Sequence, residues 1–273
     1  MTLYDNVFDV LALSPVARDF ALGRLPLPSV TLSTPFPAAG FPPALIPIWV
    51  SPTGLEYFGY WRHFFTDRHV SIVSSAAQDG YLVIEVARST QQFFGYECLT
   101  QLANWGGVRP EIARFAADTG VDLVAIDKIR QEVGDDPDVV FKRAPLNGDL
   151  PWIAVRRTGD EYRGDFPSPK MAGDAEVLRA TCTLEYTPEL LAKFGALPTT
   201  PPWFRSTDKP ALFQELLAAK DYQGAWMTLN SSGWYFVQAK GALAMLADAA
   251  GSKELSVLAE AWIGEPHQGV PGY

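Results

Sequence analysis

Proline is concentrated in one stretch of the chain and restricts what that stretch can become. Seven prolines and a single glycine lie between Leu25 and Pro47. Because proline fixes its φ angle and lacks a backbone N–H, this stretch cannot form the interior of a sheet or a long helix. Its apolar residues, Leu27 and Phe41 among them, are too numerous for a free linker. We therefore expect an ordered strap across the surface.

The residues on either side of this strap predict different secondary structure. Before it, residues 4–13 and 15–22 are typical of two short helices, the second with Ser14 as N-cap and Pro15 in its first turn. After it, β-branched and aromatic runs predict three or four antiparallel strands. These strands are expected at residues 46–50, 55–64, 70–74 and 81–86.

From residue 90 onward the apolar periodicity is mainly helical. A polar segment rich in glycine and proline, residues 160–173, predicts a boundary between a domain of residues 1–165 and a helical domain of residues 166–273. A late strand is expected at residues 150–156. Helices are expected at residues 90–102, 110–120, 121–133, 176–186, 188–194, 210–220, 222–230, 234–250 and 253–263. The sequence thus predicts an α+β fold, in which a small antiparallel sheet flanked by helices precedes an all-helical C-terminal region.

The net charge of the chain excludes some classes of binding partner. The chain has 22 basic and 31 acidic residues, a formal net charge of −9. A negative field repels phosphate, so we expect neither nucleic acid nor an anionic membrane surface as partner.

The N-terminal sequence and the cysteines indicate in which compartment the protein is located. The N-terminus lacks the basic and apolar regions of a secretory signal, and no apolar run reaches the length of a membrane span. Cys98 and Cys182 lie in apolar contexts and are expected to be buried thiols, with a single disulfide as the alternative. We therefore expect a cytoplasmic protein.

The most concentrated group of chemically active side chains lies in residues 57–69, which hold two of the three histidines. Large apolar groups on both faces of the predicted strand favour a central strand packed on both sides. The alternative is a pocket for an anionic substrate of a hydrolase or transferase. Its residues would be Arg62, His63, Asp67 and Arg88.

Motifs for specific chemistry do not occur in the sequence. It contains no Gly-x-Ser-x-Gly nucleophile turn, no phosphate-binding glycine loop and no metal-ligand spacing. We therefore predict no catalytic residues, no metal and no cofactor.

An acidic segment offers a surface for a basic protein partner. Seven acidic residues lie between Asp118 and Asp138, against Lys128 and Arg130. A solvated helix face explains this pattern, and so does a surface that attracts a basic partner. Tryptophans on predicted strands and helices are expected in the core, whereas Trp105 and Trp203 lie beside predicted loops and are expected to anchor the partner. The predicted partner-binding residues are Asp127, Glu132, Asp135, Asp136, Asp138, Trp105 and Trp203.

Three short motifs resemble the SUKH superfamily over roughly residues 45–150. They are Ile46-Pro47-Ile48-Trp49, Gly59-Tyr60-Trp61-Arg62-His63 and Glu85-Val86-Ala87-Arg88. The resemblance implies an α+β protein and a role as a bacterial immunity protein, an antidote that neutralises a toxin domain by occlusion. A regulatory scaffold that binds peptides through its C-terminal helices is a further alternative.

Overall fold

The computed structural model shows an α+β fold, as the sequence predicts. It describes residues 4–28, 40–50, 56–65, 70–76, 82–87, 89–134, 202–206, 208–231, 233–265 and 272–273. Within these ranges, two helices precede four strands, and eight helices follow. The predicted domain boundary, the strand at 150–156 and the helices at 176–186 and 188–194 lie outside the described residues.

Two short helices open the fold, α1 (Asp5–Val10) and α2 (Pro15–Ala21). Ser14 caps α2 by accepting a hydrogen bond from the backbone N–H of Ala17, and Pro15 occupies the first turn. Both features follow from local sequence, because an N-cap hydroxyl satisfies an N–H that has no partner inside the helix. Phe20 of α2 is buried, which attaches this helix to the core.

The four strands form an antiparallel sheet in sequence order. They are β1 (Leu45–Val50), β2 (Glu56–Trp61), β3 (Ser71–Ala76) and β4 (Leu82–Ala87). Pro47 is accommodated because β1 is an edge strand whose register shifts between Pro47 and Trp49. The strap residues Leu27 and Phe41 are buried, as expected from their apolar character.

Strand β2 is central and is covered on both faces. Tyr57, Tyr60 and Trp61 are buried, so the prediction of a strand packed on both sides is confirmed. Consecutive side chains of a strand point to opposite faces, so burial of both Tyr60 and Trp61 requires cover on each side.

Three helices follow the sheet, α3 (Thr90–Trp105), α4 (Pro110–Thr119) and α5 (Leu123–Val133). Helix α3 contacts the sheet and also packs against α4 and α5. Its buried residues include Phe93, Phe94 and Cys98. Cys98 is a buried free thiol, as predicted, and burial raises its pKa to about 12; Cys182 lies outside the described residues.

Five helices make up the described C-terminal part: α6 (Pro202–Arg205), α7 (Lys209–Ala218), α8 (Tyr222–Leu229), α9 (Phe236–Ala250) and α10 (Lys253–Gly264). Among the helices described, none has the length and apolar character needed to cross a membrane.

The C-terminal helices share their core with the sheet. Asn230 accepts a hydrogen bond of 2.6 Å from the backbone N–H of Ala44, and the Trp262 indole donates one of 3.0 Å to the carbonyl of Phe41. Phe64 meets Trp226 edge to face at 5.2 Å. The strap and the end of β2 therefore lie directly against the helical part.

Candidate functional site

A cleft of about 670 Å³ lies where the turn between α1 and α2 faces the first turn of α3. We call it the α2–α3 cleft. Its lining residues are Leu11, Ala12, Leu13, Ser14, Val16, Ala17, Arg62, Val70, Ser89, Thr90, Gln91, Phe94 and Thr119. This volume is typical of small-molecule sites, which are mostly apolar with a few polar groups that orient the ligand.

Arg62 is the charged residue of the described lining, and it follows directly after β2. Its backbone N–H donates to the carbonyl of Ala44, which anchors it at the end of the strand. Its guanidinium lies 4.8 Å from the centre of the Phe64 ring. Half-burial lowers the pKa of Arg62, and the exposed Glu254 carboxylate counteracts this in part.

Hydroxyl groups line the α3 side of the cleft. Ser89 caps α3 by accepting from the backbone N–H of Gln92. Thr90 shares a hydrogen bond of 3.2 Å with the buried Tyr60 hydroxyl, which also lies 3.4 Å from the carbonyl of Ala17. Burial raises the pKa of Tyr60 to about 12, so this phenol stays neutral and ties β2 to both helices.

The structure describes two of the four residues predicted to form a pocket. Arg62 lines the cleft, whereas His63 is 1% exposed and is not among the cleft residues. Asp67 and Arg88 lie outside the described residues, so the predicted pocket of these four side chains stays a prediction. Within the described ranges, no group of three metal-ligating side chains is close enough to hold a metal ion.

Trp105, at the end of α3, is 55% exposed, as expected. Its indole N–H donates to Gln101 at 3.2 Å, and the Arg109 guanidinium lies 3.7 Å from the ring centre. Gly106 ends α3 in the left-handed region, at φ 66°, and turns the chain toward α4. We call the exposed residues of this turn, Trp105, Val108 and Arg109, the Trp105 surface.

The predicted anchor Trp203 is only 7% exposed, so the expectation of an exposed loop tryptophan is wrong. The prolines before it lead into the short helix α6, which packs against α7 and α8. The Trp203 carbonyl also accepts a hydrogen bond from the ammonium of Lys209, a lysine that is 1% exposed. Nothing in the local sequence Asp208-Lys209-Pro210 distinguishes this lysine from an exposed one.

Most acidic side chains in the described part of the acidic segment have local partners. Asp127 accepts from Arg130 at 2.9 Å and from Gln131 at 2.7 Å. Asp118 lies 3.7 Å from Arg114, and Asp122 caps α5. This part of the segment is therefore a surface of mixed charge.

The other acidic residues of the predicted partner-binding surface lie further along the chain. Glu132 is exposed, whereas Asp135, Asp136 and Asp138 lie outside the described residues.

Comparisons of this chain with protein-family models, with curated proteins and with solved structures find no match.

Proposed function

We propose that this chain is a protein-binding protein without catalytic activity, and that it engages its partner through the Trp105 surface. The proposal rests on Trp105, whose side chain is exposed and is nevertheless held in place by Gln101 and Arg109. The resemblance to immunity proteins suggests the biological role, which is neutralisation of a bacterial toxin domain by occlusion.

The energetics of interfaces support Trp105 as the anchor. Tryptophan and arginine are enriched among the residues that contribute most to protein association. Trp105 is held by Gln101 on one side and by Arg109 over its ring, so little side-chain freedom remains to be lost on binding. Val108, 51% exposed, extends the apolar area beside it.

Long-range charge favours a basic partner. The net charge of −9 attracts a positively charged protein and accelerates encounter. We expect the exposed Glu132 and the acidic residues Asp135, Asp136 and Asp138 to contribute to this attraction. Their reversal to lysine should mainly lower the association rate.

The experiment measures binding to the protein encoded by the adjacent gene, and rescue of cells that express it. Trp105→Ala should weaken binding roughly 30-fold or more, the loss typical of a central interface tryptophan. Tyr235→Ala is the matched control, because Tyr235 is also an exposed aromatic, at 60%, but lies before α9 on a different element.

Two results would contradict the proposal. One is the absence of both a complex and rescue with the wild-type chain. The other is a complex that Trp105→Ala and Tyr235→Ala leave equally strong, which would place the interface elsewhere.

A further inference from the structure

The α2–α3 cleft has the size and lining of a small-molecule site, independent of the Trp105 surface. Most of its wall is aliphatic or aromatic, with Leu11, Val16, Val70 and Phe94 among the contributors. A ligand that covers this wall needs an apolar body.

Arg62 adds one positive charge to this wall. Its guanidinium lies over the Phe64 ring, 4.8 Å from the ring centre. The exposed Glu254 carboxylate, in the first turn of α10, interacts with it electrostatically. A half-buried guanidinium at the wall of a cleft can recognise an anion, since its planar fork matches carboxylate geometry.

The neighbouring polar groups suit the same ligand. Ser14, Ser89, Thr90 and Gln91 bring hydroxyl and amide groups to the cleft. The described lining contains no second cation and no carboxylate.

We propose that the α2–α3 cleft binds a small carboxylate with an apolar body, and that its carboxylate pairs with Arg62. In this arrangement the carboxylate contacts Arg62, and the apolar body contacts the aliphatic and aromatic part of the wall, which includes Val16 and Phe94. This site is separate from the proposed protein-binding surface, and it stands whether or not that proposal holds.

Calorimetric titration of the full chain tests the site with a panel of aryl, branched and straight-chain carboxylates. 2-Naphthoate, its neutral amide and 2-naphthyl phosphate form the matched set. At least one carboxylate should bind, and its amide should bind roughly tenfold more weakly or worse. The phosphate shows whether the site distinguishes a carboxylate from a second kind of anion. Arg62→Gln should lose roughly tenfold or more in carboxylate affinity, and Arg62→Lys should recover part of it.

A second pair of variants keeps the test valid if Arg62 substitutions disturb folding. Gln91 is exposed at the rim of the cleft, in the first turn of α3. Gln91→Glu suits a helix N-terminus and should fold normally, yet it should weaken carboxylate binding several-fold by repulsion. Gln91→Lys should strengthen binding. Both effects should diminish in high salt.

Three outcomes would overturn the proposal. The first is that no acid of the panel binds at millimolar concentration. The second is that a carboxylate and its amide bind equally well. The third is binding that neither Arg62→Gln nor the opposite charges at Gln91 change, which would locate the ligand elsewhere.

Discussion

Replacement of Gly59 by alanine tests how closely strands β1 and β2 approach each other. Gly59 lies opposite Pro47, where the register of β1 shifts. A Cβ atom added at Gly59 would lie 2.9 Å from the carbonyl carbon of Ile46, closer still to its oxygen, and 3.0 Å from Cδ1 of Leu45. The obstacle is mainly backbone, so a change of rotamer cannot relieve it.

The expected cost follows from these distances. Carbon atoms in favourable contact lie about 3.5–4.0 Å apart, so β1 would have to move by up to about 1 Å. Overpacking in a dense core costs roughly 1–3 kcal/mol. Movement of β1 would also strain its pairing with β2, where each hydrogen bond contributes about 1 kcal/mol. We expect Gly59→Ala to destabilise the protein by about 3 kcal/mol, toward the upper end of that overpacking range.

The measurement is urea unfolding followed by circular dichroism, with thermal melting alongside. A loss of stability of this size should lower the melting temperature by roughly 5 °C for a chain of 273 residues. Gly241→Ala is the control, because a Cβ atom added there would have no neighbour within 4 Å and the residue sits inside helix α9. It should stabilise the protein by about 1 kcal/mol. A Gly59→Ala protein as stable as wild type would refute the close approach of the two strands.

Two further predictions concern buried polar groups. Asn230→Ala should cost about 1–3 kcal/mol, because the backbone N–H of Ala44 loses its acceptor; urea unfolding measures this, and an unchanged midpoint would contradict the contact. Burial lowers the pKa of Lys209 to about 7, below its value in the unfolded chain, so the unfolded state binds more protons above that pH. Stability should therefore rise with pH from about 7 toward 9.0, where the unfolded-state ionisation of Cys98 begins to oppose the rise. Lys209→Met should remove this rise, and an equal slope in both proteins would exclude Lys209 as its source.

Local signals account for most of the secondary structure. Ser14 caps the helix before which the sequence places it as N-cap, whereas the capping by Ser89 and Asp122 is seen only in the structure. Gly106 and Gly120 end helices in the left-handed region, where glycine has no Cβ penalty. The first helix is shorter than predicted, ending at Val10 rather than at residue 13, because the chain turns through Ala12 at φ 51°.

Candidate site residues were harder to place from the sequence, because exposure depends on distant contacts. Trp105 and Trp203 both stand beside glycine or proline, yet one is exposed and the other buried. Arg62 and His63 are neighbours, yet only Arg62 lines the cleft. The remaining cleft residues come mainly from the α1–α2 turn, α2, α3 and the end of α4, and no sequence spacing links these elements.

Apart from the short helix α6, the order and type of the described elements follow from the residue pattern along the chain, and so does the burial of both faces of β2. The reason is that backbone geometry and strand alternation act over a few residues. What surrounds each element depends instead on contacts between distant parts of the chain. The Trp262 indole donates to Phe41, 221 positions earlier, and Asn230 accepts from Ala44, 186 positions earlier. Contacts at such separations arise from packing of the whole core, and it is this packing that opens a cleft at Arg62 and leaves Trp105 at the surface.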